Sequence, residues 1–266
     1  MGWEVHLPPH YFSKIPDNSD LDSPVAGDCR LTMEEHVYES NFCSARKDLA
    51  MSNPDHLEPK ELVRESYNHI SHAYRGDSVS RDKGYFRWLE ILTPLLQPDD
   101  PILDLGCGCG VPVAQELART FRVTGVDISE VQITRAKALV PNGTFLCEDI
   151  TSANFHPHTF AGIVSFFAII HIPLDEQRAI FENIFRWLKP GGYFMVTVGR
   201  KAWTGYDEDW YGARMYWSFA DEETYVNWLQ DIGYVIQQRH FLPEEDSGHV
   251  LLLAQRPSDG NSHSGN

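Results

Sequence analysis

Three glycines at alternate positions, Gly106, Gly108 and Gly110, follow the short apolar run Ile102 to Leu105, which only Asp104 interrupts. A helical pattern begins at Val111. A buried strand that turns through glycines into a helix lets the backbone approach a nucleotide closely, because glycine adopts angles a side chain forbids. The G-x-G-x-G spacing is not the dinucleotide fingerprint, which needs glycine where Val111 stands. Nor is it the phosphate loop, since no Lys-Ser/Thr follows the last glycine. A tight turn without a ligand is the bland alternative, and three alternate glycines exceed what it requires. Asp127 ends the run FRVTGVD, seventeen residues past Gly110. A carboxylate there can accept hydrogen bonds from both hydroxyls of a ribose, with Ile128 beside it, or serve as an acid at a helix N-terminus. His171 follows SFFAII and precedes Pro173. It is placed either to take a proton from a hydroxyl or ammonium or to cap the next helix. Cys107, Cys109 and Cys147 lack metal-ligand spacing, as do the N-terminal histidines, so no metal site is expected.

Strand and helix patterns alternate around these residues. Strands are expected at 102–105, 121–126, 144–147, 160–167 and 192–198, and helices at 111–120, 129–140 and 174–188, with Ser129 as an N-cap. Helix 221–231 and a hairpin of strands 234–241 and 249–255 finish the pattern. Such alternation predicts a mostly parallel seven-stranded sheet with an antiparallel last strand and helices on both faces, an α/β fold. Two helices, 61–76 and 81–96, precede it. The first carries Tyr67 and Tyr74 seven residues apart on one face. Residues 1–56 read as an irregular N-terminal arm with one possible helix at 33–49, residues 57–256 as the domain, and residues 257–266 as a disordered tail.

The formal net charge of −16 argues against a nucleic-acid backbone as partner. No apolar run reaches membrane-spanning length. The start of the chain lacks a signal-peptide pattern, and His6 stands where myristoylation wants Ser or Thr. A cytoplasmic protein with reduced cysteines, monomeric or homodimeric, is the expectation.

ILDLGCGCG, VTGVDIS, SFFAIIHIP and LKPGGYFMVTVG, taken in that order, resemble the motifs of class I S-adenosylmethionine-dependent methyltransferases, in particular small-molecule members of the type 11/12-like group. The likeness runs over roughly residues 61–256. It implies a Rossmann-like methyltransferase fold and S-adenosyl-L-methionine as cofactor. By the same likeness Asp104, Gly106, Cys107, Gly108, Gly110 and the backbone of Phe167 hold the methionine end, with Asp104 ordering the loop through hydrogen bonds. Asp149 lies near the adenine amino group and Ile150 against the purine. Tyr67 and Tyr74 cover the cofactor, where aromatic faces attract a sulfonium, or else pack the core. Residues 201–217 stand where the family inserts a substrate-covering segment, so Trp203, Trp210, Tyr211, Tyr216 and Trp217 are expected to form a lid over a small molecule. The Asn/Asp-Pro-Pro-aromatic tetrapeptide of many DNA and protein-amine methyltransferases is absent from FFAIIHIP. The resemblance therefore implies methyl transfer to an O, N or S atom of a small molecule, in secondary metabolism. The alternative is a cofactor-binding protein of this fold that catalyses a non-methylating cyclisation or rearrangement.

Overall fold

In the computed structural model, residues 57–81, 84–244 and 247–258 are described. The expected arm at 1–56, its helix at 33–49 and most of the expected tail lie outside them. Seven strands form one sheet in the order β3-β2-β1-β4-β5-β9-β8. They are β1 (Pro101–Leu105), β2 (Arg122–Asp127), β3 (Thr144–Cys147), β4 (Phe160–Ser165), β5 (Leu188–Gly199), β8 (Val235–Glu244) and β9 (Ser247–Gln255). Only β9 runs against its neighbours. Side chains alternate across the sheet, as the period of two requires. Leu103, Ile163, Phe194 and Leu252 pack with α5 (Leu174–Trp187) and α6 (Glu222–Ile232). Ile102, Val164, Met195 and Leu251 pack on the other face with α2 (Gly84–Leu92), α3 (Val113–Leu117) and α4 (Glu130–Leu139). Strand order reverses between β1 and β4, so the crevice at their carboxyl ends is where such a sheet takes a ligand. Among the described residues no helix is long and apolar enough to cross a membrane.

Several boundaries depart from expectation for local reasons. The helix expected at 111–120 shortens to α3, because the N–H groups of Arg119 and Thr120 bond three residues back and tighten the chain out of the helix. The helix at 81–96 gives way at Pro94 to a 3-10 turn. β4 stops at Ser165, since Phe167 turns to a φ of 56°. β5 starts at Leu188, and Lys-Pro-Gly-Gly loops out of it: pairing jumps from Phe160 with Leu188 to Gly162 with Tyr193.

The segment expected to be a lid is a separate antiparallel hairpin, β6 (Trp203–Trp210) and β7 (Ala213–Phe219). Its buried side holds Trp210, Met215 and Tyr216 against Leu62, Val63 and Ile70 of α1 (Pro59–Tyr74). α1 is thus held between two supports, the hairpin on its apolar stripe and α4 on its polar one. Asn68 Oδ1 accepts from Ser129 Oγ at 2.7 Å and from the Val131 N–H at 3.3 Å. Ser71 Oγ donates to Gln132 Oε1 at 2.8 Å. Buried Arg135 donates to the carbonyls of Ser71 and Arg75, each at 2.7 Å, and so satisfies main-chain acceptors that a helix end leaves open. Arg135→Met should cost about 2–3 kcal/mol, the scale of charge-assisted hydrogen bonds lost with their acceptors left buried. Urea denaturation checks it, and an unchanged midpoint would show that α1 is held by packing alone.

Candidate active site

A cavity opens at the carboxyl ends of β1, β2 and β4, under α1. Tyr67, Tyr74, Gly106, Asp127, Ile128, Asp149, Ile150, Phe167 and His171 all line it, so nine of the expected site residues meet in one place. A smaller adjoining cavity is lined by Asp104 and Cys107, and shares Gly106 and Tyr74 with the first.

The glycine loop is tied to β2 by three bonds. The N–H groups of Gly106 and Cys107 donate to the Val126 carbonyl at 2.8 and 3.0 Å, and the Gly108 N–H donates to Asp127 Oδ2 at 2.8 Å. Asp127 Oδ1 accepts the Ser129 N–H at 2.9 Å. Each oxygen keeps further lone-pair capacity, so the carboxylate remains able to accept from hydroxyls in the cavity. Burial raises its pKa to about 6, although the Ser129 and Gly108 N–H groups pull it down. Gly106 has a φ of 74°, and a Cβ there would stand 2.1 Å from the Ala168 Cβ. This glycine therefore lets the loop touch the end of β4 as well as a ligand.

Three expectations for the loop change. Gly110 lines neither cavity. A Cβ there would meet Val140, Phe145 and Ala136, so this glycine packs the loop onto α4. Gly108 also lines neither and serves through its N–H on Asp127. Asp104 is buried, and its Oδ2 has no hydrogen-bond partner among the described residues, so that oxygen does not order the loop as expected. Burial, with the charge of Asp127 second, pushes its pKa up to about 8. A buried carboxyl oxygen left without a partner is costly in isolation and is the acceptor an ammonium would need.

His171 is buried between two partners. Nδ1 lies 2.8 Å from the Tyr216 carbonyl, which only accepts, so Nδ1 carries the proton. Nε2 is then the acceptor of the Tyr67 hydroxyl at 2.9 Å. Burial lowers the His171 pKa to about 4, and the imidazole is neutral at pH 7. Burial holds the Tyr67 hydroxyl well above its ordinary range, so it stays protonated. Both ring nitrogens are thus engaged, and His171 reaches the cavity's polar chemistry through Tyr67.

The five lid aromatics are corrected in place. Trp203, Trp210, Tyr211, Tyr216 and Trp217 line neither cavity. Trp210 and Tyr216 are buried beneath α1, and Trp203 and Tyr211 are exposed. Trp217 backs the imidazole of His171, ring centroids 4.3 Å apart, and Tyr211 meets the edge of Tyr74 at 5.7 Å. The hairpin props up the cavity wall because its apolar face found α1 first. Sequence reasoning missed Lys60, Val63, Gln132, Phe166, Ala168 and Ile172 as lining residues. Lys60 had a readable signal, since it stands seven residues before Tyr67 on the same helix face. Among the described residues no group of three or more His, Cys, Asp or Glu could hold a metal ion.

With this geometry in view, comparison with known proteins is specific. A family model described as a methyltransferase domain matches residues 102–192, from β1 into β5. Cycloartenol-C-24-methyltransferase 1 of Oryza sativa subsp. japonica is 32% identical over 136 residues, covering 48% of this chain and 39% of the relative. The chain carries a match to a methyltransferase domain at residues 102–192 and is similar to class I S-adenosylmethionine-dependent methyltransferases. It spans about a third of the length of the curated relatives it matches. Among solved structures, phosphoethanolamine N-methyltransferase 2 of Haemonchus contortus in complex with S-adenosyl-L-methionine superposes with a TM-score of 0.62 at 16% identity, covering 76% of this chain and 60% of that one. The [4+2]-cyclase SpnF does so with a TM-score of 0.59 at 19% identity, covering 75% and 96%. These likenesses establish the fold as Rossmann-like. S-adenosyl-L-methionine is the family's cofactor, and the unpartnered Asp104 oxygen beside Gly106, with Asp127 and Asp149 beyond it, fits an amino acid joined to a nucleoside.

An ammonium bound at Asp104 requires the ionised carboxyl. Because Asp104 holds its proton up to about pH 8 in the free protein, binding below that pH must release it. Affinity for S-adenosylhomocysteine should therefore weaken by more than about tenfold from pH 8 to pH 6, and Asp104→Asn should flatten the profile. Calorimetric titration across that range reads it, and a flat wild-type profile would place the ammonium elsewhere.

Proposed function

We propose that this chain is an S-adenosylmethionine-dependent methyltransferase acting on an O, N or S atom of a small molecule, in secondary metabolism. The observation that carries the reading is the Tyr67–His171 pair at the cavity wall. When bound, the cofactor supplies an electrophilic methyl group on a sulfonium. In this reading Asp104 and the glycine loop hold its methionine end, Asp127 its ribose, and Asp149 with Ile150 its adenine. Tyr67, Tyr74 and Phe167 present aromatic surface that excludes water and favours a cation. Positioning the acceptor in line then supplies much of the rate.

The pair limits the chemistry. The Tyr67 hydroxyl donates to His171 and is left as an acceptor toward the cavity. It can orient an incoming O–H or N–H by accepting its hydrogen. With a His171 pKa of about 4, the pair is too weak a base to ionise a hydroxyl in advance. It suits an acceptor whose proton becomes acidic only as the new bond to carbon forms, and the proton can then pass by way of Tyr67 to Nε2.

Sterol and phosphoethanolamine methyltransferases among the relatives frame the choice of substrate. Lys60 is the sole Lys or Arg lining the larger cavity among the described residues. Its ammonium is already met by Asp149, Glu176 and Thr151. Among the described residues the larger cavity then offers no further cation for a phosphate, which supports an uncharged or cationic acceptor that sits against Val63, Phe167 and Ile172.

Methyl-labelled cofactor offered with a panel of alcohols, amines and thiols should yield products that gain one methyl mass. Label retained in the cofactor while a substrate is cyclised or rearranged would favour the non-methylating alternative. Tyr67→Phe should lower turnover about 10–100-fold, the scale of a lost proton-handling group. It should leave S-adenosylhomocysteine affinity within about twofold, since the ring is kept. Unchanged turnover would remove the pair from the mechanism.

A further inference from the structure

Lys60 lies in the first turn of α1, and nothing in the reaction proposed above uses it. Its Nζ is 2.9 Å from Asp149 Oδ2, 2.9 Å from Thr151 Oγ1 and 2.7 Å from Glu176 Oε2. Three acceptors match the three protons of an ammonium. They come from two places: the loop after β3, which carries the adenine-side acid, and the first turn of α5, which follows the His171 turn. We propose that Lys60 is a positioning residue of the adenine end of the cleft, aiming Asp149 into the cavity and by the same contact latching α1 shut, so that cofactor binding and α1 closure are coupled.

The two ends of α1 are held differently. At its C-terminal end the Arg135 side chain is only 8% exposed and caps main-chain carbonyls, which is a fixed anchor. At its N-terminal end the Lys60, Asp149 and Glu176 side chains are 29%, 25% and 36% exposed, and Glu58 provides no side-chain cap. Water can replace each Lys60 contact, so this end can open while the other stays put. Opening at this end would enlarge the cleft: the larger cavity measures about 90 Å³ and the adjoining one about 50 Å³, against the roughly 300–1,000 Å³ of clefts that take drug-sized ligands. Asp149 Oδ1 accepts the Thr151 N–H at 2.8 Å, and Oδ2 accepts Lys60. A carboxylate has about four lone-pair sites, so Asp149 can keep both partners and still accept an adenine amino group. A nucleoside that engages Asp149 thereby engages the latch.

The inference rests on the cofactor reading above, and the test separates the two. S-adenosylhomocysteine is titrated into the full chain, wild type and variants, and amide exchange is followed with and without it. Wild type should bind, and binding should slow exchange in the first two turns of α1 as well as in the glycine loop. Lys60→Met should weaken binding about five- to tenfold, and Lys60→Arg should restore most of it, as charge-assisted contacts predict. In Lys60→Met the ligand should still protect residues 104–110 and no longer protect the start of α1. Glu176→Gln, which leaves the Asp149 contact in place, should speed exchange in α1 of the free protein with a smaller effect on affinity. It also serves if the methionine variant fails to fold. Ligand-induced protection of α1 that persists in Lys60→Met, or exchange in Glu176→Gln that matches wild type, overturns the latch while leaving the cofactor site standing. Failure of wild type to bind overturns the cofactor reading and the latch with it.

Discussion

The half-buried carboxylate of Asp127 is the contact from which the cleft is built. One oxygen holds the Gly108 N–H and the other the Ser129 N–H, so a single side chain fixes the glycine loop against the start of α4. Ser129 then caps α4 by accepting the Gln132 N–H, and donates to Asn68 of α1. One turn further on, Gln132 and Arg135 take hold of Ser71 and the end of α1. Loop, sheet, α4 and covering helix are thus linked in one hydrogen-bonded series. Each member is a polar group that would be expensive to bury alone.

Electrostatics reinforce this arrangement and leave it incomplete. Burial raises both Asp104 and Asp127, and the two acids repel each other across the loop. Strongly shifted carboxyls beside a cavity mark a place organised for a ligand more often than for stability. The pair calls for positive charge and hydrogen-bond donors, which an amino acid joined to a nucleoside would bring. His171 shows the opposite logic. Burial keeps it neutral, and its tautomer is set by a carbonyl of the hairpin, so the hairpin acts on the chemistry without touching the cavity.

Much of the architecture could be read from the chain because it depends on local pattern. Apolar runs of strand length, Ser129 ahead of α4, and acids at the ends of β2 and β3 are all visible in order, and a parallel sheet brings strand ends together by topology alone. The readings that failed concern surfaces with more than one place to go. Six aromatics in the stretch 201–217 could cover a substrate or pack a helix, and α1 buried Trp210 and Tyr216 before any ligand could. Gly110 looked like its neighbours in sequence, yet what it meets is the Val140 side chain.

Taken alone, the sequence determined the strand and helix periodicity, the glycine turn and the sheet-end acids, since backbone preference and hydrophobic alternation act within a few residues. Only the tertiary structure decided which nitrogen of His171 carries a proton, that Tyr67 is its donor, and that Lys60 meets Asp149 and Glu176. Those contacts join residues 45 to 116 positions apart. Their worth depends on water being excluded between them, and no local pattern encodes that exclusion.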